Sequence, residues 1–147
     1  LGDVYKRQAK NLHSGILKIK DEVMKLFDQR QFSKASRLII SHIESVNEYV
    51  NSKEPWVLAK NENNHNEKSV LHEICSASLL SFRLLSIYLS PVIPNLTGKV
   101  AEFFNEEEFF SLDRLINEPI SINKYEHLLK RIEQNDIDLM IKKNTQI

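Results

Sequence analysis

Apolar positions recur with helical spacing through the first part of the chain. From about Leu17 to Arg30 they return at steps of three and four residues, which places them on one face of a helix. A second such segment runs from about Phe32 to Val50, and the short link between the two implies an antiparallel hairpin. The two predicted faces consist of Ile16, Ile19, Val23, Leu26 and Phe27, and of Ala35, Leu38, Ile39, Ile43, Val46 and Val50.

A polar stretch separates this hairpin from a more apolar segment. Residues 61–67 contain no apolar side chain, which predicts an exposed loop. From Val70 to Leu89 apolar residues cover most of the helix circumference, which is typical of the buried centre of a bundle. The Ser90-Pro91 pair ends this helix, and Pro94 opens a shorter one.

The rest of the chain predicts less regular structure. Residues 105–123 suggest an irregular connection containing one turn of helix, and a last helical region runs from about Lys124 to Lys142 with a break near Asn135-Asp136. No segment alternates with period two, so the predicted fold is all-α, an antiparallel helix bundle with a C-terminal helical tail. We assign residues 11–120 to the bundle, 121–147 to the tail, and 1–10 to a non-native leader without matching periodicity.

Composition narrows the class of protein. The chain has 147 residues, with 41% apolar and 27% charged positions but only 3 Gly and 4 Pro, which indicates a soluble helical protein. No apolar run approaches the roughly 20 residues that span a bilayer, no signal peptide is visible, and Cys75 is the single cysteine. We therefore expect a cytoplasmic protein with no membrane partner.

Charge is balanced overall but uneven along the chain. There are 20 basic and 20 acidic residues, yet residues 1–60 carry eleven Lys/Arg against seven Asp/Glu. A locally basic, globally neutral chain is compatible with binding a short stretch of RNA, where a few phosphate contacts suffice. It is equally compatible with ordinary solvated helix faces.

No segment carries the signature of an active site. There is no Gly-rich phosphate loop, no nucleophile motif and no His/Asp/Glu set at metal-ligand spacing. The acidic run 106–108 predicts a solvated surface. Arg83, a permanent charge in the most apolar helix, predicts a structural role in which it pairs with a carboxylate or caps backbone carbonyls.

Trp56, the only tryptophan, follows a point where a helical pattern stops at a proline. The residue before a proline is pushed out of the helical region, so Glu54 should end one helix and Pro55 should open the next turn. An indole at such a corner can bury its body and still present a face to solvent, where a base could stack. A plain core tryptophan is the alternative.

The chain resembles the C-terminal anticodon-binding domain of bacterial methionyl-tRNA synthetase, a class I aminoacyl-tRNA synthetase. The resemblance extends from about Asn11 to Lys142. It rests on the residues around Pro55-Trp56-Val57-Leu58-Ala59-Lys60, on Phe82-Arg83-Leu84, on the corner from Leu89 to Pro94, and on Leu129-Lys130-Arg131-Ile132.

The resemblance implies a role in reading the anticodon of methionine tRNA. The tryptophan matching Trp56 stacks on an anticodon base beside Pro55 in that family, and such stacking contributes about 1–3 kcal/mol per base. Asn47 and Asn51 are four residues apart, hence on one helix face, and their amides can pair with the edge of an unstacked base. Lys60, one turn beyond Trp56, is our candidate for a phosphate contact.

The resemblance also implies parts that this sequence does not contain. The family's domain opens with an earlier helix that carries an Asn and an Arg, and its catalytic domain uses ATP and Mg, often with a structural Zn. We expect no cofactor in this segment, and we expect the tail to return toward the missing N-terminal catalytic domain. Two alternatives stay open: a non-enzymatic helical module that binds a partner protein, or the corresponding domain of an isoleucine, leucine or valine synthetase.

Overall fold

The computed structural model describes residues 2–60, 65–107, 111–116, 121–129 and 132–144, without the side chains of residues 2–8, 116 and 144. Every regular element in these ranges is helical, in agreement with the predicted all-α class. The helices are α1 (Gly2–Lys18), α2 (Lys20–Asp28), α3 (Phe32–Lys53), α4 (Pro55–Leu58), α5 (His65–Leu89), α6 (Pro94–Phe103), a 3-10 turn (Leu112–Ile116) and α7 (Gln134–Asn144).

The first predicted helix is divided in two. We expected one helix from about Leu17 to Arg30, but α1 ends at Lys18 and α2 begins at Lys20. Helix α1 also begins at Gly2, so the segment that we set aside as a leader is continuous with the helix that follows. That residues 1–10 are foreign to the natural chain stays a prediction.

A buried tyrosine joins the end of α1 to the core. The Tyr88 hydroxyl, on α5, donates a hydrogen bond to the Ile16 carbonyl at 3.0 Å. Burial, with a smaller contribution from the nearby Asp21 carboxylate, raises the pKa of Tyr88 from 10.0 to about 12. The neutral phenol is therefore the form that the folded bundle holds against α1.

Helix α5 is the centre of the bundle, as predicted. It packs against α1, α3, α4, α6 and the 3-10 turn. The core around it is formed by Ile16, Ile19, Val23, Ile39, Val46, Leu84, Leu85, Ile87, Tyr88, Val100, Ala101, Phe104 and Leu115. Burial of this apolar surface is the main force that holds the helices together.

By length and composition α5 is also the one helix in the described ranges that could cross a membrane. The expectation that no apolar segment reaches that length is therefore wrong for this helix. A core helix passes the same test, because it must be apolar on every side that its neighbours cover. The packing of α5 against helices on several sides is the arrangement of such a core helix.

Arg83 has the structural role that its sequence context predicts. Its side chain is 1% exposed, and its Nε and Nη2 atoms donate to the two carboxylate oxygens of Glu106, the latter at 3.0 Å. Nη2 also donates to the Arg114 carbonyl at 3.0 Å, so the guanidinium ties α5 to the connection after α6. Glu106 was predicted to be solvated; its side chain is only 11% exposed because it neutralises Arg83. Glu107 is exposed, and residue 108 lies outside the described residues.

The tail differs from its prediction. Residues 121–129 are not helical; they lie along α6, where the Asn123 backbone N–H donates to the Phe103 carbonyl at 2.7 Å and its side-chain amide donates to the Glu102 carbonyl at 2.6 Å. The first bond supplies a partner for a carbonyl in the last turn of α6, and the second adds to the bond that the Glu102 carbonyl accepts from the Asn105 N–H at 3.0 Å. Helix α7 begins at Gln134, and Asp136 in its first turn accepts a hydrogen bond from the Glu133 N–H, so the predicted break is a helix start.

Candidate nucleic-acid interface

A single residue joins helices α3 and α4. Helix α3 ends at Lys53 and α4 begins at Pro55, as the proline rule predicts, and Glu54 lies between them. Glu54 does not adopt the extended conformation usual before proline; its φ of 45° and ψ of 54° are left-handed. Its N–H still donates to the Val50 carbonyl at 3.1 Å, so the hydrogen bonding of α3 continues to the corner.

Trp56 is half-exposed at this corner, with 49% of its surface accessible. It is the second residue of α4, a single turn that packs against α5, while the neighbouring Pro55 is partly buried. This exposure is too large for a core tryptophan and leaves part of the ring available for stacking. The indole therefore meets the main requirement for contact with a base, an accessible aromatic face.

The other predicted site residues are exposed on the two sides of the corner. Asn47 and Asn51 lie one turn apart near the end of α3, and Lys60 lies just after α4. The Lys60 N–H donates to the Val57 carbonyl at 3.2 Å, which keeps this lysine close to the short helix. All five predicted residues thus come from one continuous segment, residues 47–60, that folds as helix, corner and helical turn.

A tyrosine and a lysine lie in the last turns of α3, on the side of the helix opposite to Asn47 and Asn51, and neither was predicted. The Lys53 ammonium lies over the Tyr49 ring, 5.7 Å from its centroid, in the last turn of α3. Their spacing of four residues, the same that joins Asn47 to Asn51, is the sequence signal that could have found them. The pair places a second aromatic ring and a second cation next to the corner.

Two grooves in the described ranges are lined by residues outside the segment 47–60. A groove of about 380 Å³ between α1 and α5 is lined in part by His13 and His72, and one of about 340 Å³ lies between α6 and residues 123–128. Among the residues that the structure describes, no three His, Cys, Asp or Glu side chains are close enough to hold a metal ion.

The fold defines the class of protein to which this bundle is related. It superposes on methionyl-tRNA synthetase of Mycobacterium tuberculosis in its apo form with a TM-score of 0.71, over 88% of this chain and 26% of that protein, at 16% sequence identity. The bundle therefore has the fold of a domain found in an aminoacyl-tRNA synthetase. No family model matches the sequence.

Sequence relatives narrow this class to one family. The chain is 35% identical over 127 residues to methionine–tRNA ligase of Cupriavidus necator, and 38% identical over 134 residues to that of Psychrobacter cryohalolentis. It is 37% identical over 127 residues to the enzyme of Neisseria meningitidis serogroup B. These matches cover 85–89% of the chain but only 18% of each relative. Over this segment the chain is a homologue of bacterial methionine–tRNA ligases.

Proposed function

We propose that this chain binds the anticodon loop of methionine tRNA as part of a methionine–tRNA ligase. The observation that carries the proposal is the half-exposed Trp56 indole at the α3–α4 corner, in a segment homologous to these ligases. Trp56 stacks on an anticodon base beside Pro55, Asn47 and Asn51 pair with base edges, and Lys60 contacts a phosphate.

The parent enzyme supplies the chemistry that this segment lacks. It attaches methionine to its tRNA with ATP and Mg in a catalytic domain outside the chain, often beside a structural Zn, and it acts in the cytoplasm. The tail packs against that domain. This part of the proposal is supported by the exposed apolar side chains of the tail, which the bundle leaves uncovered: Leu129, Ile132, Leu139, Met140 and Ile141.

Fluorescence of Trp56 tests base stacking directly, because the chain has no other indole. We would titrate the chain with methionine tRNA and with the same tRNA carrying a changed anticodon. Quenching by the first and not by the second is the expected result. No change with either RNA, in a sample that circular dichroism shows to be helical, would mean that the earlier helix of the family's domain is indispensable for binding or that the chain is a protein-interaction module.

The complete ligase provides the functional test. Trp56→Ala should lower kcat/KM for aminoacylation by about 5- to 150-fold, the loss expected when a stacking contact worth about 1–3 kcal/mol is removed. Methionine-dependent ATP–pyrophosphate exchange, which needs no tRNA, should stay near normal. Val57→Ala is the matched control, because Val57 is similarly exposed at the next position of α4. Equal loss of both activities in Trp56→Ala would contradict the proposal.

A further inference from the structure

The backbone of Glu54 is unusual even among the left-handed residues of this chain. In the described ranges three non-glycine residues have positive φ: Arg30, Glu54 and Asn105. Arg30 and Asn105 follow the ends of α2 and α6, where a left-handed residue commonly terminates a helix. Glu54 also terminates a helix, since it is the left-handed cap of α3, but it alone of the three stands directly before a proline and begins a second helix.

The hydrogen bonds at the corner make Glu54 the single hinge between α3 and α4. Its N–H completes α3 by donating to the Val50 carbonyl, and its own carbonyl accepts the Val57 N–H at 2.8 Å to begin α4. Pro55 has no N–H to satisfy and a fixed φ. The direction of α4 relative to α3 therefore depends on the two backbone angles of Glu54.

The side chain of Glu54 does not explain why this conformation is kept. It is exposed to solvent, and glutamate has no intrinsic preference for positive φ. Two residues further on, the Trp56 indole is half-exposed on a turn that packs against α5.

We propose that Glu54 is a positioning residue for RNA binding, whose left-handed backbone aims the Trp56 ring at the base it stacks on. This inference rests on the proposed function and adds a determinant that lies outside the contact residues. The role belongs to the backbone of Glu54 and not to its carboxylate. Residues that tolerate positive φ should therefore preserve RNA affinity at this position, and residues that do not tolerate it should lower that affinity.

Three neutral replacements separate the backbone from the charge. Glu54→Gln keeps the length of the side chain and serves as the reference, Glu54→Gly adopts positive φ without penalty, and Glu54→Val cannot, because its branched β-carbon clashes there. Methionine-tRNA affinity, followed by Trp56 quenching, should agree within about threefold for Gln and Gly and fall about tenfold or more for Val, close to the loss of one stacked base.

A second readout concerns the free protein. Acrylamide quenching of Trp56 fluorescence measures the accessibility of the indole without RNA, and it should be altered in Glu54→Val but not in Glu54→Gly. A merely structural role would lower the stability of Glu54→Val without changing the affinity of the molecules that remain folded. If Glu54→Val does not fold, Glu54→Ala replaces it, with an expected loss of affinity smaller than that of Val but larger than that of Gly.

The outcomes distinguish this inference from the proposed function. Wild type and Glu54→Gln are first compared for binding to methionine tRNA and to the tRNA with the changed anticodon. If both proteins distinguish the two RNAs, and the folded Glu54→Val or Glu54→Ala variant binds methionine tRNA as tightly as Glu54→Gln, the inference about Glu54 is wrong and anticodon binding stands. If neither the chain nor the complete ligase distinguishes the two anticodons, the proposed function fails. In that case unchanged acrylamide quenching in Glu54→Val would also overturn the positioning of Trp56 by Glu54.

Discussion

Removal of the Arg83 guanidinium should be one of the most damaging single changes in this bundle. Arg83→Met keeps the apolar stem but removes two charge-assisted hydrogen bonds to Glu106 and one bond to the Arg114 carbonyl. The carboxylate left behind is 11% exposed, and the Arg114 guanidinium lies 3.9 Å from it. Breaking one side of a buried ion pair costs about 3–5 kcal/mol, and the nearby Arg114 places our expectation near 3 kcal/mol.

Urea unfolding measures this loss, with the midpoint and the slope both compared to wild type. Lys68→Met on the exposed start of the same helix is the matched control and should stay within about 0.5 kcal/mol. The double variant Arg83→Met with Glu106→Met should lose about 2 kcal/mol less than the sum of the single changes, because neither charge is then left buried alone. A loss below about 1 kcal/mol for Arg83→Met would refute the view that this pair is isolated from solvent.

Three further predictions follow from the packing. Tyr88→Phe should cost about 0.5–1.5 kcal/mol near pH 7. Because the pKa of Tyr88 is raised to about 12, its contribution is complete below pH 10 and is lost between pH 10 and 12, so the stability difference between wild type and variant in urea unfolding should shrink over that window. Ile39→Ala should cost about 2–5 kcal/mol in the same measurement, whereas Ile40→Ala at the exposed neighbour should cost under about 1 kcal/mol. Asn123→Ala removes one of the bonds that hold residues 121–129 to α6, a bond worth about 1 kcal/mol, and should speed tryptic cleavage after Lys124 by about fivefold; an unchanged rate would contradict that anchoring role.

Local sequence signals determined the helical elements and the place of the corner. Helical spacing of apolar residues marks α3 and α5, and the covering of nearly the whole circumference of α5 identified it as central. The two prolines Pro55 and Pro94 set the starts of α4 and α6, since a proline ring fits the first helical turn and disfavours the helical region in the residue before it. These signals act over a few residues, which is why they can be read without the fold.

The predictions that were wrong concern contacts between segments that are far apart in the sequence. The division between α1 and α2, the burial of Glu106 and the extended course of residues 121–129 each depend on a partner distant in sequence. Tyr88 contacts α1 across 72 positions, and Arg83 selects Glu106 over its equally acidic neighbour across 23 positions. A pattern within one segment cannot contain such a partner.

The candidate site was predictable from local sequence signals only in part. The sequence alone determined that residues 47–60 form a helix, a corner at Glu54 and a new turn with Trp56 on it, because a proline and helical periodicity are local properties. Only the tertiary structure decided that Glu54 is left-handed and that the indole stays half-exposed. The reason is that the pre-proline rule favours an extended Glu54, and the exposure of Trp56 depends on which helices are assembled around it.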